Sequence, residues 1–555
     1  MIFAFYSPKG PWICKVYTRR KSLRVNFTKL RLGIGRHTLN ELVGDVTIDT
    51  VSSLCPRCGK PSLSTIFDRD GKVYQRTECS CHTPSDDLIF SDTALYRRLE
   101  EWNKLIFPES GAAQTPSSQG CCGTGMGSQN EPCLAVIDLT NNCNFKCPIC
   151  FAEAKGEGSH YFLEMEVVVK MLKALLNRPI PCRSVQFSGG EPTLHPDFPK
   201  ILRAARDLGF THLQVATNGS RFVDPDYAKL CEESGLHTLY LQFDGMNDDV
   251  YLKMRGQRLL DKKLAAVRSI EQTNMRLVLV PTIMSSVNVD QLGPIFQFAL
   301  EHSKFVTGIS VQPVADVGRI AVADGGTEPF NLATMAKAFG EQTGLTRFPD
   351  DWFPLNSISL LSRAIERAGH SKVHAPLSDA HCSIGTFFYV DDNNKASCLS
   401  SFFDLDRFLR GMAKIKPNAE QGTIERQISK IRAFSQLSQC LDLRKTPSGL
   451  TFQRLLRSLD AWEDKHDGRS KGWDQRGFNG IFVAGMHFMD AHSYNLRRLR
   501  RCIIQYVTTD GQLVPFCSYN AGVRLRDDEE LTRISNKVPH SGNSVDAVPA
   551  DELSI

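Results

Sequence analysis

Asn142-Cys143-Asn144-Phe145-Lys146-Cys147-Pro148-Ile149-Cys150 is the stretch that decides how the rest of the chain is read. Its three cysteines are separated by three residues and then by two. Three thiolates from one short loop can hold three irons of a [4Fe–4S] cube. The fourth iron is then left open for a small molecule, as catalytic metal sites leave a position open. A structural zinc site would need a fourth ligand nearby, and none follows Cys150 at suitable spacing before His160. Leu134-Ala135-Val136-Ile137-Asp138-Leu139-Thr140 precedes the loop and reads as a buried parallel strand. The cysteines thus fall just past the C-terminal end of a strand, where barrel folds place their chemistry.

Downstream lies Phe187-Ser188-Gly189-Gly190-Glu191-Pro192-Thr193. Its two glycines let backbone approach a ligand closely, and the Glu191 carboxylate suits an ammonium. The two motifs together resemble the radical S-adenosylmethionine (radical SAM) superfamily, with its Cys-x3-Cys-x2-Cys loop and a Gly-Gly-Glu-Pro segment closing the second strand. The resemblance implies a [4Fe–4S] cluster on Cys143, Cys147 and Cys150, with SAM on the open iron. It implies that Gly189, Gly190, Glu191 and Pro192 hold the methionine end of SAM and that the backbone around Ile149 faces its adenine.

The surrounding pattern predicts an α/β fold. Candidate strands are Leu134–Thr140, Arg183–Phe187, His212–Thr217, Thr238–Phe243, Arg276–Thr282 and Gly308–Gln312, with helical segments such as Met165–Leu176 and Phe198–Leu208 between them. Six β-α units of this spacing predict a parallel sheet with right-handed crossovers, a partial (β/α)6 barrel. Polar or glycine-rich residues end the strands, among them Asn218-Gly219, Asp244-Gly245, Pro313 and Gly318-Arg319. Asn218 is a candidate cofactor contact or part of a plain turn. Asp244 is a ribose or substrate contact or a helix cap. No catalytic side chain is assigned.

A chain of 555 residues has room for several domains. A hydrophobic share of 41%, a charged share of 23% and a net charge of +5 are ordinary globular values and argue against a nucleic-acid-binding role. The 18 cysteines come at ligand spacings, which favours metal over disulfides. No apolar run reaches the ~18 residues of a membrane span, and no signal peptide is read at the N-terminus. A reducing, cytoplasmic location is expected.

Cys55-Pro56-Arg57-Cys58-Gly59 is a metal knuckle. Cys79-Ser80-Cys81-His82 returns about twenty residues later, across a predicted hairpin around Asp68–Gly71. Cys81 and His82 compete for the fourth position on a zinc ion or a single rubredoxin-type iron. The expected organisation is an N-terminal region with this knuckle (1–105), a linker rich in Gly, Ser and Pro (106–133) and the barrel core (134–330). A cysteine-containing C-terminal region (331–525) and a disordered tail (526–555) follow. Asp351 to Glu366 and residues 405 to 470 read as helical. Arg497, Arg498, Arg500 and Arg501 read as a solvated helix face or as a contact to phosphate, and Cys440 as core.

The knuckle, Tyr240-Leu241-Gln242-Phe243-Asp244-Gly245-Met246, Gly485-Met486-His487-Phe488-Met489-Asp490 and Pro515-Phe516-Cys517-Ser518-Tyr519-Asn520 narrow the resemblance. They are similar to a group containing archaeal tetraether lipid synthases, bacterial membrane-spanning lipid synthases and pterin methyltransferases of methanogens. The resemblance implies auxiliary iron–sulfur clusters, with Cys382, Cys398, Cys502 and Cys517 as candidate ligands, together with Cys122 and Cys133. The chain departs from the group at two places. Where the group shows Cys-Gly-Leu-Cys-x2-His, Gly125 and Ser128 replace the second cysteine and the histidine. Gln505 stands where a histidine is common.

The implied activity is reductive cleavage of SAM and hydrogen abstraction from an unactivated carbon, for carbon–carbon coupling of lipid chains. The alternative is methylation of a small heterocycle such as a pterin. The competing non-enzyme reading is a zinc and nucleic-acid-binding protein, which the near-neutral charge disfavours. Implied partners are a small-molecule or lipid substrate, an electron donor of the flavodoxin or ferredoxin kind, and peripheral membrane contact if the substrate is a lipid.

Overall fold

A computed structural model of the chain describes residues 14–18, 21–25, 44–107, 128, 130–154, 160–320, 329–360, 362, 377–414, 435–450 and 479–522. The chain divides into two compact units at Val46. In the first, β1 (Cys14–Thr18) and β2 (Lys21–Val25) pair as an antiparallel hairpin.

The second unit opens with an antiparallel sheet in chain order, β3 (Val46–Leu54), β4 (Pro61–Arg69), β5 (Lys72–Cys79) and β6 (His82–Phe90). The predicted hairpin is β4–β5. Its turn uses Asp70 and Gly71 at φ of 53° and 76°, the left-handed pair that matches strand twist. The helix Thr93–Ile106 follows, capped by the Asp92 side chain on the Leu95 N–H.

Strand β7 (Leu134–Thr140) leads into the cysteine loop, whose only regular part is the two-residue β8 (Ile149–Cys150). The barrel continues through β9 (Ser184–Gly189), β10 (His212–Thr217), β11 (Thr238–Gln242), β12 (Arg276–Val280) with its short continuation β13 (Thr282–Ile283), and β14 (Val306–Pro313). Neighbouring barrel strands pair in parallel, with helices in the crossovers. This is the expected partial barrel.

Residue alternation gives the barrel two different faces. Val185, Phe187, Leu213, Val215, Leu239, Leu241, Ile309 and Val311 are buried in the main apolar core. The intervening Gln186, Ser188, Tyr240, Gln242 and Gln312 line an inner cavity. The lumen therefore carries amide and hydroxyl groups among its apolar lining.

The sheet also extends beyond six strands. After β15 (Arg319–Ile320), which pairs with β8, come β16 (Phe353–Pro354), β17 (Ser383–Val390), β18 (Ala396–Cys398), β19 (Asn479–Met486), β20 (Ile504–Val507) and β21 (Leu513–Pro515). The strand order is β16-β17-β19-β14-β12-β11-β10-β9-β7-β20-β21, with β18 paired to β17. C-terminal strands thus join both edges: β19 runs parallel to β14, and β20 runs parallel to β7. The helix expected over Asp351–Glu366 begins instead as β16 and a 3-10 turn at Leu355–Ser357, since Pro354 holds the chain extended. Cys440 is buried in the main core, as read. The linker from 108 to 127, the tail after 522 and most of the expected helical stretch from 415 to 478 lie outside the described residues.

The end of β9 meets the cysteine loop backbone to backbone. Gly190 N–H donates to Thr140 O and Glu191 N–H to Asn142 O, both at 2.8 Å. A Cβ on Gly189, which has φ +123°, would lie 2.2 Å from Thr140 O, and one on Gly190 would lie 2.1 Å from Asn142 O. The glycines let the second strand close on the loop itself. Gly190→Ala should destabilise the chain by about 1–3 kcal/mol, the typical scale of overpacking. A lower urea midpoint for the anaerobically reconstituted variant, together with reduced iron content, would show this.

Candidate active site

Cys143, Cys147 and Cys150 line one cavity of ≈ 240 Å³ together with Gly189, Gly190 and Glu191. Among the described residues, the knuckle is the one group of three or more potential metal ligands whose donor atoms all lie within 4.8 Å of one another. The three loop thiols are thus spread wider than a single ion would hold them, and no fourth donor closes the set. This arrangement fits a cube with one open iron and not a zinc ion. Burial pushes the Cys143 thiol up to about 12 and raises Cys147.

Four attachments hold this nearly structureless loop. The first is the glycine contact just described. The second runs through Glu191, whose carboxylate accepts from Thr193 N and Oγ1, Thr217 Oγ1 and Asn218 N. The Asn218 side chain then donates to Asn144 Oδ1 in the loop at 2.8 Å. Burial raises the Glu191 carboxyl even so. The third is Arg255, which donates to Ile149 O at 2.8 Å and forms a two-pronged ion pair with Asp244. The fourth is Arg319, which donates to Cys147 O and Ala154 O. Gly318 beside it has φ +72°, and a Cβ there would lie 2.4 Å from Cys150 O.

These contacts sort the sequence-predicted residues. Ile149, Gly189, Gly190, Glu191 and Asn218 line the cavity, whereas Pro192 lies behind it at the start of a 3-10 turn. Asp244 is a correction. It is fully buried, does not line the cavity, and spends its carboxylate on Arg255 and the Thr282 N–H. It is not a helix cap either, because Asn247 fills that role for the next helix. Lys263 was not foreseen. It is 1% exposed and donates to Asn218 O and Gln242 Oε1, which holds two cavity-lining residues in place. Burial lowers it to about 7.

The far wall of the cavity is aromatic. Phe151, Phe488, Phe516 and Tyr506 line it, with centroid separations of 5.0 to 5.5 Å along the contacts Phe151–Phe488, Phe151–Phe516, Phe488–Phe516 and Tyr506–Phe516. On the polar side, Gln214 donates to Gln186 Oε1. Tyr240 donates to Ser310 and accepts from Gln312. A larger cavity of ≈ 830 Å³, lined by Arg98, Arg347, Asp351 and Lys445, contains none of these motif residues.

Cys382, Cys502 and Cys517 lie near enough for each to act on the others' charge, and Cys517 directly follows Phe516 of the aromatic wall. They come from the start of β17, the approach to β20 and the end of β21. Cys398 does not join them. It lies opposite Phe388, at the other end of β17, buried against Thr386 Oγ1 and Ser400 Oγ. Cys133 also stands apart. Its electrostatic partner is Cys182, and burial pushes its thiol up to about 12. Cys122 lies outside the described residues. Gln505 and Ser128, at the positions where the similar group carries histidines, make hydrogen bonds instead: Gln505 to Asn130 O and Cys502 O, and Ser128 to Cys502 O.

Of the four arginines, Arg500 is exposed, whereas the other three are drawn inward. Arg498 is 5% exposed, Arg497 pairs with Asp49 and Glu100, and Arg501 pairs with Asp379. Burial alone would raise the Asp379 carboxyl, but His381 and the two arginines hold it well below its usual range.

In the knuckle, Cys55, Cys58, Cys79 and His82 converge. Cys58 Sγ lies 3.7 Å from Cys79 Sγ, and His82 Nδ1 lies 3.9 Å from the sulfurs of Cys55 and Cys79. A tetrahedron with arms of about 2.3 Å has edges of about 3.8 Å, so the set fits one zinc or iron ion. Cys81 is left outside, exposed and hydrogen-bonded to Lys60. The competition between Cys81 and His82 therefore goes to the histidine. Cys79→Ala should release the single ion, whereas Cys81→Ala should retain it. Metal analysis of the purified variants checks both.

Comparison with known proteins agrees with this geometry. A profile of the radical SAM superfamily matches residues 137–299. A 7,8-dihydro-6-hydroxymethylpterin dimethyltransferase of Methanocaldococcus jannaschii is 31% identical, with 86% of this chain and 95% of that protein covered. A probable GTP 3′,8-cyclase of Saccharolobus solfataricus is 32% identical over 24% of this chain and 42% of its own length. Among solved structures, Streptococcus suis SuiB bound to S-adenosylmethionine matches 38% of this chain and 46% of its own, at 18% identity and a TM-score of 0.33.

Proposed function

The chain belongs to the radical SAM superfamily, and from that premise we propose that it transfers a one-carbon group to a small planar heterocycle of the pterin class. The cavity beside the cysteine loop carries this reading: its floor is built of amides and hydroxyls, and its wall of stacked rings. A planar ring system suits such a wall through offset stacking. Its amide-like edge suits Gln186 and Gln312. An alkyl chain in the same place would cover these groups without pairing them, at about 1–3 kcal/mol for each donor or acceptor left unmade. The proposal therefore favours the heterocycle over the coupling of lipid chains. The dimethyltransferase relative, matched over nearly its whole length, supports the same choice.

In this reading, Cys143, Cys147 and Cys150 hold a [4Fe–4S] cluster. When bound, that cluster supplies the electron that cleaves SAM to methionine and a 5′-deoxyadenosyl radical able to take hydrogen from carbon. The protein supplies position. Glu191 and the backbone of Gly189 and Gly190 offer negative charge and carbonyls to the SAM ammonium, while Asn218 and Gln242, braced by Lys263, line the adjoining wall. The ring stack excludes water from the radical. Cys382, Cys502 and Cys517 hold an auxiliary cluster. The knuckle ion is structural: the sheet carrying it docks on the C-terminal region through Ser53 and Gln75, which both donate to Tyr494 O.

Anaerobic incubation with SAM, dithionite and 7,8-dihydro-6-hydroxymethylpterin, followed by mass spectrometry, tests the assignment. The expected result is 5′-deoxyadenosine and methionine from one SAM, with a second SAM as methyl donor leaving S-adenosylhomocysteine and dithionite supplying the electrons, together with a pterin heavier by one or two methyl groups. Cys147→Ala should abolish the 5′-deoxyadenosine and the heavier pterin. A Gln186→Leu/Gln312→Leu double variant should lower pterin product at least tenfold while slow cleavage of SAM persists. Formation of altered lipids with the pterin untouched would overturn the heterocycle reading.

A further inference from the structure

The helix Leu496–Arg500 is capped by Asn495, whose side chain accepts from the Arg497 and Arg498 N–H groups. It drives one arginine inward. Arg498 Nη2 donates to His487 O at 2.6 Å, and the guanidinium charge acts on the thiols of Cys382 and Cys517. Its Nε–H is buried with no hydrogen-bond partner among the described residues. Asp379, a carboxylate whose charge acts on Arg498, is already engaged by His381, Asn103 and Arg501.

A guanidinium buried to this degree is costly unless negative charge faces it. Three neutral thiols do not supply that charge. A thiolate-ligated iron–sulfur group would, and its sulfurs would also accept the unused Nε–H. We infer that Arg498 is the counter-ion of the auxiliary cluster and raises its reduction potential. The inference rests on the reading of Cys382, Cys502 and Cys517 as that cluster's ligands. Positive charge and N–H donors beside a cluster favour the reduced state, which carries one more electron. Arg498 touches neither the SAM cavity nor the loop cysteines, so the effect belongs to the auxiliary cluster alone. It is a positioning and tuning residue rather than a catalytic one.

The test is a potentiometric titration of the anaerobically reconstituted full chain, followed by electron paramagnetic resonance, with the SAM-site cluster as internal reference. Arg498→Gln and Arg498→Met should change the oxidised-to-reduced ratio of the auxiliary cluster at least tenfold toward oxidised. For one electron that is a midpoint lower by about 59 mV. Arg498→Lys should stay near the parent, and the SAM-site midpoint should not move in any variant. Unchanged midpoints in both neutral variants would overturn the inference. Should the neutral variants fail to take up iron, the lysine variant decides. Cluster uptake near the parent midpoint supports a charge role, and failure of lysine as well marks Arg498 as structural and overturns it. Cys517→Ala separates the two layers of the argument. If it takes up as much iron as the parent, the ligand assignment itself fails, whatever Arg498 does.

Discussion

Two backbone hydrogen bonds, from Gly190 and Glu191 to the carbonyls of Thr140 and Asn142, fix where the chemistry of this chain can happen. The loop that carries Cys143, Cys147 and Cys150 has almost no regular structure of its own, so its shape must be imposed from outside. The glycine pair admits the neighbouring strand to within hydrogen-bonding distance of the loop, which any side chain would prevent. Once that contact is made, Glu191 falls beside Asn218 and Asn144, and the second and third strands are tied to the same loop. Arg255 and Arg319 then hold the loop's carbonyls from the other side. The thiols are placed by a shell of backbone contacts rather than by their own sequence neighbours.

Much of this was legible in the residues. Cysteine spacing, the Gly-Gly-Glu-Pro segment and six strand–helix alternations are local signals, and they led to the superfamily and the barrel. The glycines were read for close approach to a ligand, and the structure shows in addition that they admit the second strand to the loop itself. Asp244 was visible as a rim residue, but its partner is a helix-end arginine eleven positions later, and pairing of that kind depends on tertiary geometry. The polar groups of the lumen had a signal that went unused. Val-Gln-Phe-Ser, Leu-Tyr-Leu-Gln and Ile-Ser-Val-Gln alternate with period two, and in a parallel barrel such alternation turns one polar residue in two toward the inside. The C-terminal cysteines could not be sorted from sequence. Cys398 looks like Cys382 in a string of letters, yet it sits at the opposite end of the same strand.

The aromatic wall is assembled from the cysteine loop and the C-terminal region together. Phe151 follows Cys150 directly, Phe516 precedes Cys517, and Phe488 lies in the stretch that follows β19. A small apolar cluster behind it joins Leu54 of the knuckle strand, Val317 of the strap beside the loop, and Met489 and Tyr494 of the C-terminal region. Packing at this one junction therefore relates all three thiol-bearing regions, so that a volume change there would be felt at each of them.

The pairing of β20 with β7 also has a bearing on how the chain acquires its shape. Leu134, Ala135 and Val136 are matched by Ile504, Gln505 and Tyr506, which emerge from the ribosome several hundred residues later. Until then the first barrel strand presents an unprotected hydrogen-bonding edge, the kind of surface on which nascent chains adhere to one another. Such distant partnering is also slow to form. The flank beside the cysteine loop is therefore closed only by residues from near the far end of the chain.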